Sequence, residues 1–480
     1  MSERNFSKQS GVITPVILII LAVFFVSATA IMGWSFQERR GVIQEMRDTK
    51  VLQVAEAGID YYKWHLAHNS DDFQDGEDWC CENNTSISVA DCGGVCGPYT
   101  EIYKDYDGNE IGEFVLLITP PSVGSTIVEI NSVGKIYEDN NVEKGVTAKI
   151  GKTSLARYSL LSDSPIWIGP DESTSGPLHS NGGIRFDGTC DAEVTSAVET
   201  YNGDSAYHGF TGIKPGIWGS ANASCQQYWD YPVSNIDFDL FTLNMATIKS
   251  DSQIEGIYLD SSGEEGYHLV FLSTGKIAIY RVDSVGKPTK YINDDNEVVS
   301  DNEGIKKETF LGNYDMPING LVFVEDDIWV EGVVNGRVTV AVSKFSDNSS
   351  SYARIIINDD ITYLQRNGDN VLGLMAEGDV LVPRHVSAPL VIDAVLLSQK
   401  SHVYVRNYNS NYKVKKDGSI QVYGGIISDL FWTWSYVSGG NVVDGFTNTE
   451  MIYDSYLTFS PPPSFPTEEN FEVISWAEDR

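Results

Sequence analysis

Positive charge is scarce in this 480-residue sequence: 33 Lys and Arg stand against 67 Asp and Glu, for a formal net charge of -34. All of that imbalance lies beyond residue 66, so the bulk of the chain repels phosphate backbones, which excludes nucleic acid as a partner. Walker A loops, dinucleotide fingerprints and the H-E-x-x-H pattern are absent, which removes the usual sequence grounds for a nucleotide-dependent enzyme or a zinc hydrolase. Global disorder is excluded by a 42% hydrophobic and 21% charged composition, and the length suits two or three domains.

Charge of either sign is missing altogether from Gln9 to Gln37. The run inside it, VITPVILIILAVFFVSATAIMGW (12–34), is long and apolar enough to cross a bilayer core of about 30 Å as a helix. A secretory signal peptide is the rival, with Ser27-Ala28-Thr29-Ala30 as small residues for cleavage, but the run exceeds the usual apolar length of such peptides. Pro15 suits a first helical turn. Ile43, Met46, Val51, Val54, Gly58 and Tyr61 continue an apolar stripe, so one helix is expected over 12–66, crossing the membrane and protruding from it.

Cysteines are few, six in all, yet Cys80, Cys81, Cys92 and Cys96 crowd into one polar stretch, 67–98, with little apolar content to hold its shape. Disulfides would supply the missing stability and imply an oxidising, extracytoplasmic location. Zinc is the competing reading, but a vicinal pair followed by C-x₃-C does not fit the usual ligand spacing. Cys190 and Cys225 are candidates for a further bridge; connectivity stays open at this level. Flanking charge, Arg4 and Lys8 before the run against Arg39, Arg40 and Arg47 after it, mildly favours the opposite orientation, and the cysteines outweigh it.

A polar leader ending in Ser10-Gly11, the apolar helix, Gln37-Glu38-Arg39-Arg40, and then Gln53-Val54-Ala55-Glu56-Ala57-Gly58-Ile59 together resemble the N-terminal segment of PilX-type minor pilins and, more distantly, the K-type pseudopilins of type II secretion. The resemblance covers about the first 60 residues, and AEAG at 55–58 is its most specific element. It implies cleavage by prepilin peptidase between Gly11 and Val12, removal of a leader over 1–11, and packing of the helix among other pilins of a type IV assembly machinery. Major pilins carry a glutamate at the fifth mature position; here it is Val16, which by the same resemblance points to a minor, initiating or tip subunit. From the residues themselves, Ala55, Ala57 and Gly58 permit close backbone approach by the helix's own domain or by a neighbour, and Glu56 and Asp60 form a negative face one turn apart.

Beyond the helix the expected class is mainly β. Short alternating runs at 113–118, 126–130 and 146–150 predict a small antiparallel meander over 99–154. Residues 155–460 carry many short β runs with Gly, Asn and Asp corners, which suits a right-handed parallel β-helix or, alternatively, a β-sandwich. The solenoid is preferred because Leu390-Val391-Ile392 and Val395-Leu396-Leu397 are continuously apolar rather than alternating. A Tyr-, Asp- and Gly-rich stretch at about 185–320 reads as an insertion, and the Pro-rich end, 461–480, as an extended strap. Gly176–Gly183 and Trp329–Gly332 also resemble uncharacterised β-rich envelope domains, a likeness that names no activity.

Chemistry is thin. Asp326-Asp327, Asp359-Asp360 and Asp294-Asp295 are neighbours in sequence, so a strand sends their side chains to opposite faces, unlike the facing carboxylates of a glycosidase. His179-Ser180 with Asp187 lacks a nucleophile elbow. Asp105-Tyr106-Asp107-Gly108-Asn109-Glu110 has the oxygens of a calcium loop without its full spacing and reads first as a hairpin turn, with calcium binding the alternative. The expectation is a non-enzymatic, cofactor-free, single-pass membrane protein displaying its body at the cell surface or on a pilus. A membrane-anchored adhesin contacting a surface glycan or host protein is the alternative, and a glycan-active β-helix enzyme the more distant one.

Overall fold

The computed structural model describes residues 13–479 apart from 78, 81–93, 123, 171, 204–209, 287, 294–295, 387, 409–414 and 439–440. It divides into two compact units: Met1–Pro120 with Val128–Ile150 and Val473–Arg480, and Pro121–Ile127 with Gly151–Glu472.

In the first unit a single helix, α1, runs from Ile13 to His68, 56 residues or about 84 Å at 1.5 Å per residue. A sheet follows: β1 (Cys96–Lys104), β2 (Glu110–Thr119), β3 (Ile127–Ile136), β4 (Asp139–Ser154) and the C-terminal strand Thr467–Glu478, in that order across the sheet. The pairs β1–β2 and β2–β3 are antiparallel. In β2, Phe114, Leu116 and Ile118 are buried and alternate with more exposed residues, the period-2 pattern of a sheet covered on one face. That covering is α1: Val51, Val54, Ala55, Ile59, Tyr62 and Leu66 are buried, at the three- and four-residue steps that place side chains on one helical face. The strand expected as a strap thus contributes, over Thr467–Glu478, an edge of this sheet.

The second unit is a stack of short strands joined by parallel pairing. Its longest ladder reads, neighbour by neighbour, Trp229–Asp230, Val194–Ser196, Leu178–Ser180, Leu160–Ser162, Lys415–Ser428, Leu390–Ser398, Val371–Ala376, Arg337–Val342, Leu321–Val324 and Ile257–Leu259. A second parallel ladder links Gly266–Leu272, Ile328–Val334, Ile355–Tyr363, Val380–Val382, Val403–Val405 and Trp432–Thr433. Stack order is not chain order. The chain enters in the middle at Leu160, winds to one end at Trp229, and crosses through the helix Leu240–Glu255 to the opposite end at Ile257. It then winds back until Ile426, Ile427 and Ser428 pair with Leu160, Leu161 and Ser162. Residues 185–320, expected as an insertion, supply ladder strands at 194–196, 229–230, 257–259 and 266–272. They also carry an antiparallel extension through Lys276–Val285 and Ile305–Asp315.

Register explains the continuous apolar runs. Leu178, Leu160, Ile426, Leu396, Leu374 and Val340 form an inward column in the main core. The next residues, Leu161, Ile427, Leu397, Met375, Ala341 and Phe323, face outward, yet they too are buried, with Phe241, Met245 and Ile248 of the crossover helix. Strands buried on both faces need no polar alternation. A third column is Ser196, Ser180, Ser162, Ser428 and Ser398, all fully buried at the strand ends. Their hydroxyls donate to loop carbonyls, for instance Ser398 to Gly378 at 2.7 Å and Ser196 to Gly182 at 2.7 Å, and so satisfy the corners where the ladder stops.

Candidate functional site

The feature with the clearest physical demand is α1. Its segment 16–36 is apolar and bare: Leu18 is 62% exposed, Phe24 65% and Trp34 68%. It is a candidate membrane span by length and composition. An apolar surface of this extent needs lipid or other helices around it. Gly11 and Val12, the residues of the expected cleavage, lie outside the described residues.

Further along, the helix stops being bare because it docks. Gly134 of β3 is placed so that a Cβ would lie 2.5 Å from the backbone N of Ala55 and 2.5 Å from the carbonyl O of Val51. A Cβ on Gly58 would lie 2.2 Å from Ser132 Oγ and 2.9 Å from the Phe114 ring. Ala55 and Gly58 of the AEAG motif therefore face the unit's own sheet, where small residues let helix and strand backbones approach. Glu56 and Ala57 are half-buried beside that contact. Beyond the motif, Tyr61 packs on Phe114 with ring centroids 5.6 Å apart.

Two disulfides are described. Cys80–Cys96 joins the segment after α1 to the first residue of β1, and Cys190–Cys225 ties the short strand Thr189–Cys190 to the helical turn Ala223–Gln226. Cys81 and Cys92 lie outside the described residues.

The other sequence candidates resolve into structural roles. His179 pairs with Thr195 Oγ1 at 2.8 Å and Asn181 Oδ1 at 3.0 Å, and burial pushes its imidazole down from the ordinary range. Ser180 donates to the Ser164 carbonyl, and Asp187 accepts from Trp167, Arg185 and Ser220, so the three form no relay. Asp105 Oδ1 accepts the backbone N–H groups of Asp107 and Asn109, the Asx-turn geometry; the Asn109 amide and backbone hydrogen bonds pull its carboxyl below the usual range. Asp326 accepts from Ser262, and Asp327 from Arg354 at 2.8 Å. Asp360 accepts from the backbone N–H of Val391. Among the described residues no group of three or more His, Cys, Asp or Glu side chains converges as metal ligands.

Sequence reasoning missed a buried ion network. Arg406, 2% exposed, donates to Glu303 at 2.9 Å and lies 3.0 Å from Asp301, while Tyr408 donates to Glu303 at 2.9 Å. Arg354 bridges Asp301 and Asp327. Burial works to raise the Asp379 carboxyl, but the His402 hydrogen bond and the Arg406 charge hold it well below the usual range. A second missed arginine, Arg337, donates to the carbonyls of Gly368, Gly124, Ser460 and Pro461, pinning the proline-rich segment beside a cavity of about 510 Å³ lined by Met316, Ile318, Pro462 and Phe465. In a separate three-stranded parallel sheet of Ile166–Ile168, Ile184–Phe186 and Ile217–Trp218, Trp167, Arg185 and Trp218 occupy one register row. The guanidinium sits 4.3 Å and 5.4 Å from the two ring centroids, and Trp167 is 38% exposed.

No family model matches the chain, and no curated protein matches it in sequence. Among solved structures it is similar to the competence-associated pilin ComZ from Thermus thermophilus, with 11% identity and a TM-score of 0.29 over 90% of this chain and 98% of that one. At that score the likeness does not establish a shared fold.

Proposed function

We propose that this chain is a pilin-like membrane-anchored subunit, a minor pilin or pseudopilin that initiates or caps a type IV filament and displays the stacked β unit outside the cell. The observation that carries this reading is the division of labour along α1. One continuous helix is bare and apolar over 16–36 and seated on its own meander from Val51 onward, with Ala55 and Gly58 at the contact. A soluble protein has no use for the first half, and a simple tether has no use for its continuation as a packed element. The bridges Cys80–Cys96 and Cys190–Cys225 support an oxidising, extracytoplasmic location for the body. The parallel stack is read as a β-helix, whose bulk limits how many copies share one filament. Partners are other pilins, prepilin peptidase and the pilus assembly machinery, with no catalytic role and no required cofactor.

The mature N-terminus, sequenced from cells with and without prepilin peptidase, tests the reading. A start at Val12 only when the peptidase is present is the expected result. Retention of Met1, or a start after Ala30, overturns it. A surface adhesin is the second reading, favoured by the half-exposed Trp167 beside Arg185 and Trp218; glycan binding lost in Trp167→Ala, without any assembly partner, would select it.

A further inference from the structure

At one end of the second ladder a long strand is paired on one side alone. Ile305–Asp315, 11 residues, hydrogen-bonds to Lys276–Val285, which in turn joins Gly266–Leu272. Among the described residues no strand pairs with its other edge. Its side chains are exposed too: Phe310 is 53% exposed, Leu311 44% and Tyr314 39%. Proteins blunt such an edge by keeping it short, charged or kinked, because a row of open N–H and C=O groups accepts another strand. This strand keeps its length and an apolar centre, with Lys306 and Lys307 near one end and Asp315 at the other.

Its register defines what would fit there. Leu311 has no counterpart on Lys276–Val285, since Tyr280 faces Phe310 and Ile279 faces Gly312. One extra residue shifts the alternation of side chains by one. Glu308, Phe310, Asn313 and Asp315 therefore share one face, and Lys307, Thr309, Gly312 and Tyr314 the other. Contacts agree with that division. Phe310 packs on Tyr280 with centroids 5.1 Å apart and Glu308 hydrogen-bonds with His268 at 2.8 Å, while Lys307 and Thr309 both reach Asp283.

A second copy of the same strand meets this pattern when it runs antiparallel across a two-fold axis between Phe310 and Leu311. Lys306 then faces Asp315, Lys307 faces Tyr314, Glu308 faces Asn313 and Thr309 faces Gly312, each pair on one face of the sheet. A shift of one residue sets opposite faces against each other, and the next register that keeps the faces puts Glu308 against Asp315. Charge also favours this edge as the meeting place. The chain carries a net charge of -34, so two copies repel over most of their surface, but Ile305–Asp315 holds two lysines against two carboxylates and is neutral.

We propose that Ile305–Asp315 is the edge through which two copies of this chain pair, so that the sheet of Gly266–Leu272, Lys276–Val285 and Ile305–Asp315 continues from one copy into the next. One strand of contact is small beside a standard interface, so the pair is reversible. The inference is independent of any role in a filament.

Sedimentation of the full chain in excess detergent, over a concentration series, reads the equilibrium between one copy and two. Lys306→Glu and Asp315→Lys are each expected to weaken pairing about tenfold, because each sets like charges opposite one another twice per dimer. Mixed in equal amounts, the two variants are expected to pair as the parent does, since every one of these positions then meets an opposite charge. Amides of 305–315 should gain protection as concentration rises, with those of 371–376 unchanged. A parent chain that stays monomeric, a variant that pairs as tightly as the parent, or a mixture that pairs no better than either variant alone would each overturn the proposal. The second of these would assign association to the bare segment of α1 instead.

Discussion

Gly134→Ala adds one methyl group where α1 crosses β3, and the structure makes that methyl expensive. Its position lies 2.5 Å from two backbone atoms of the helix, Ala55 N and Val51 O, whereas ordinary contact begins at 3.4 Å. No side chain can rotate away, so helix and strand must separate by about 1 Å, a gap that forfeits a quarter to a half of each dispersion contact across it. Val51, Val54, Tyr62 and Leu66, all essentially buried, share that loss. Overpacking against backbone of this kind costs about 3 kcal/mol, with better strand propensity offsetting less than about 1 kcal/mol. For a unit of this size that lowers the melting temperature by roughly 10 °C. The assay is thermal unfolding of the full chain in detergent, with amide exchange of 51–66 set against 371–382 in the stack. Gly41→Ala is the control: a Cβ there meets nothing within 4 Å, and helix propensity makes it stabilising by about 1 kcal/mol. If Gly134→Ala matches the parent in melting and exchange, α1 is not seated on β3, and the face bearing Ala55 and Gly58 belongs to another chain.

Three further outcomes are expected. Arg406→Met leaves Glu303 buried without its cation and should destabilise the stack by about 3–5 kcal/mol in urea titrations, with Glu303→Met in the same chain recovering most of it. Removing the bridge across the 35-residue separation of Cys190 and Cys225, as Ala at both positions, should cost about 3–4 kcal/mol on loop-entropy grounds, read by denaturant midpoint; an unchanged midpoint would show that local packing alone holds those two segments together. Burial, with Asp163 nearby, raises the Asp429 carboxyl to about 6, above its unfolded value, so its charged form is the costly one in the folded state. Its contribution to stability therefore improves as pH falls from about 6 toward 4, and Asp429→Asn should be more stable than the parent at pH 8 and lack that acid gain.

The anchor was legible residue by residue, because a bilayer sets a length and a polarity that a linear sequence either meets or does not: no charge from Gln9 to Gln37 suffices. The β class was legible too, as were Cys190 and Cys225 as a candidate bridge. What could not be read was the order of the stack. Its strands are often two or three residues long, too short to show a period, and its central seam pairs Ser428 with Ser162 across most of the chain. A signal was nonetheless present: Leu160-Leu161-Ser162, Leu178-His179-Ser180, Val194-Thr195-Ser196, Leu396-Leu397-Ser398 and Ile426-Ile427-Ser428 each end in a serine that the structure stacks into one column.

Composition and local pattern thus settle where a segment can live and what period it follows, since those depend on a residue and its near neighbours. Partner choice depends on residues brought together from afar. That holds for Ala55 and Gly58 against β3 and for Arg406 against Glu303. Only the folded chain decides which charges are left facing each other once water has gone.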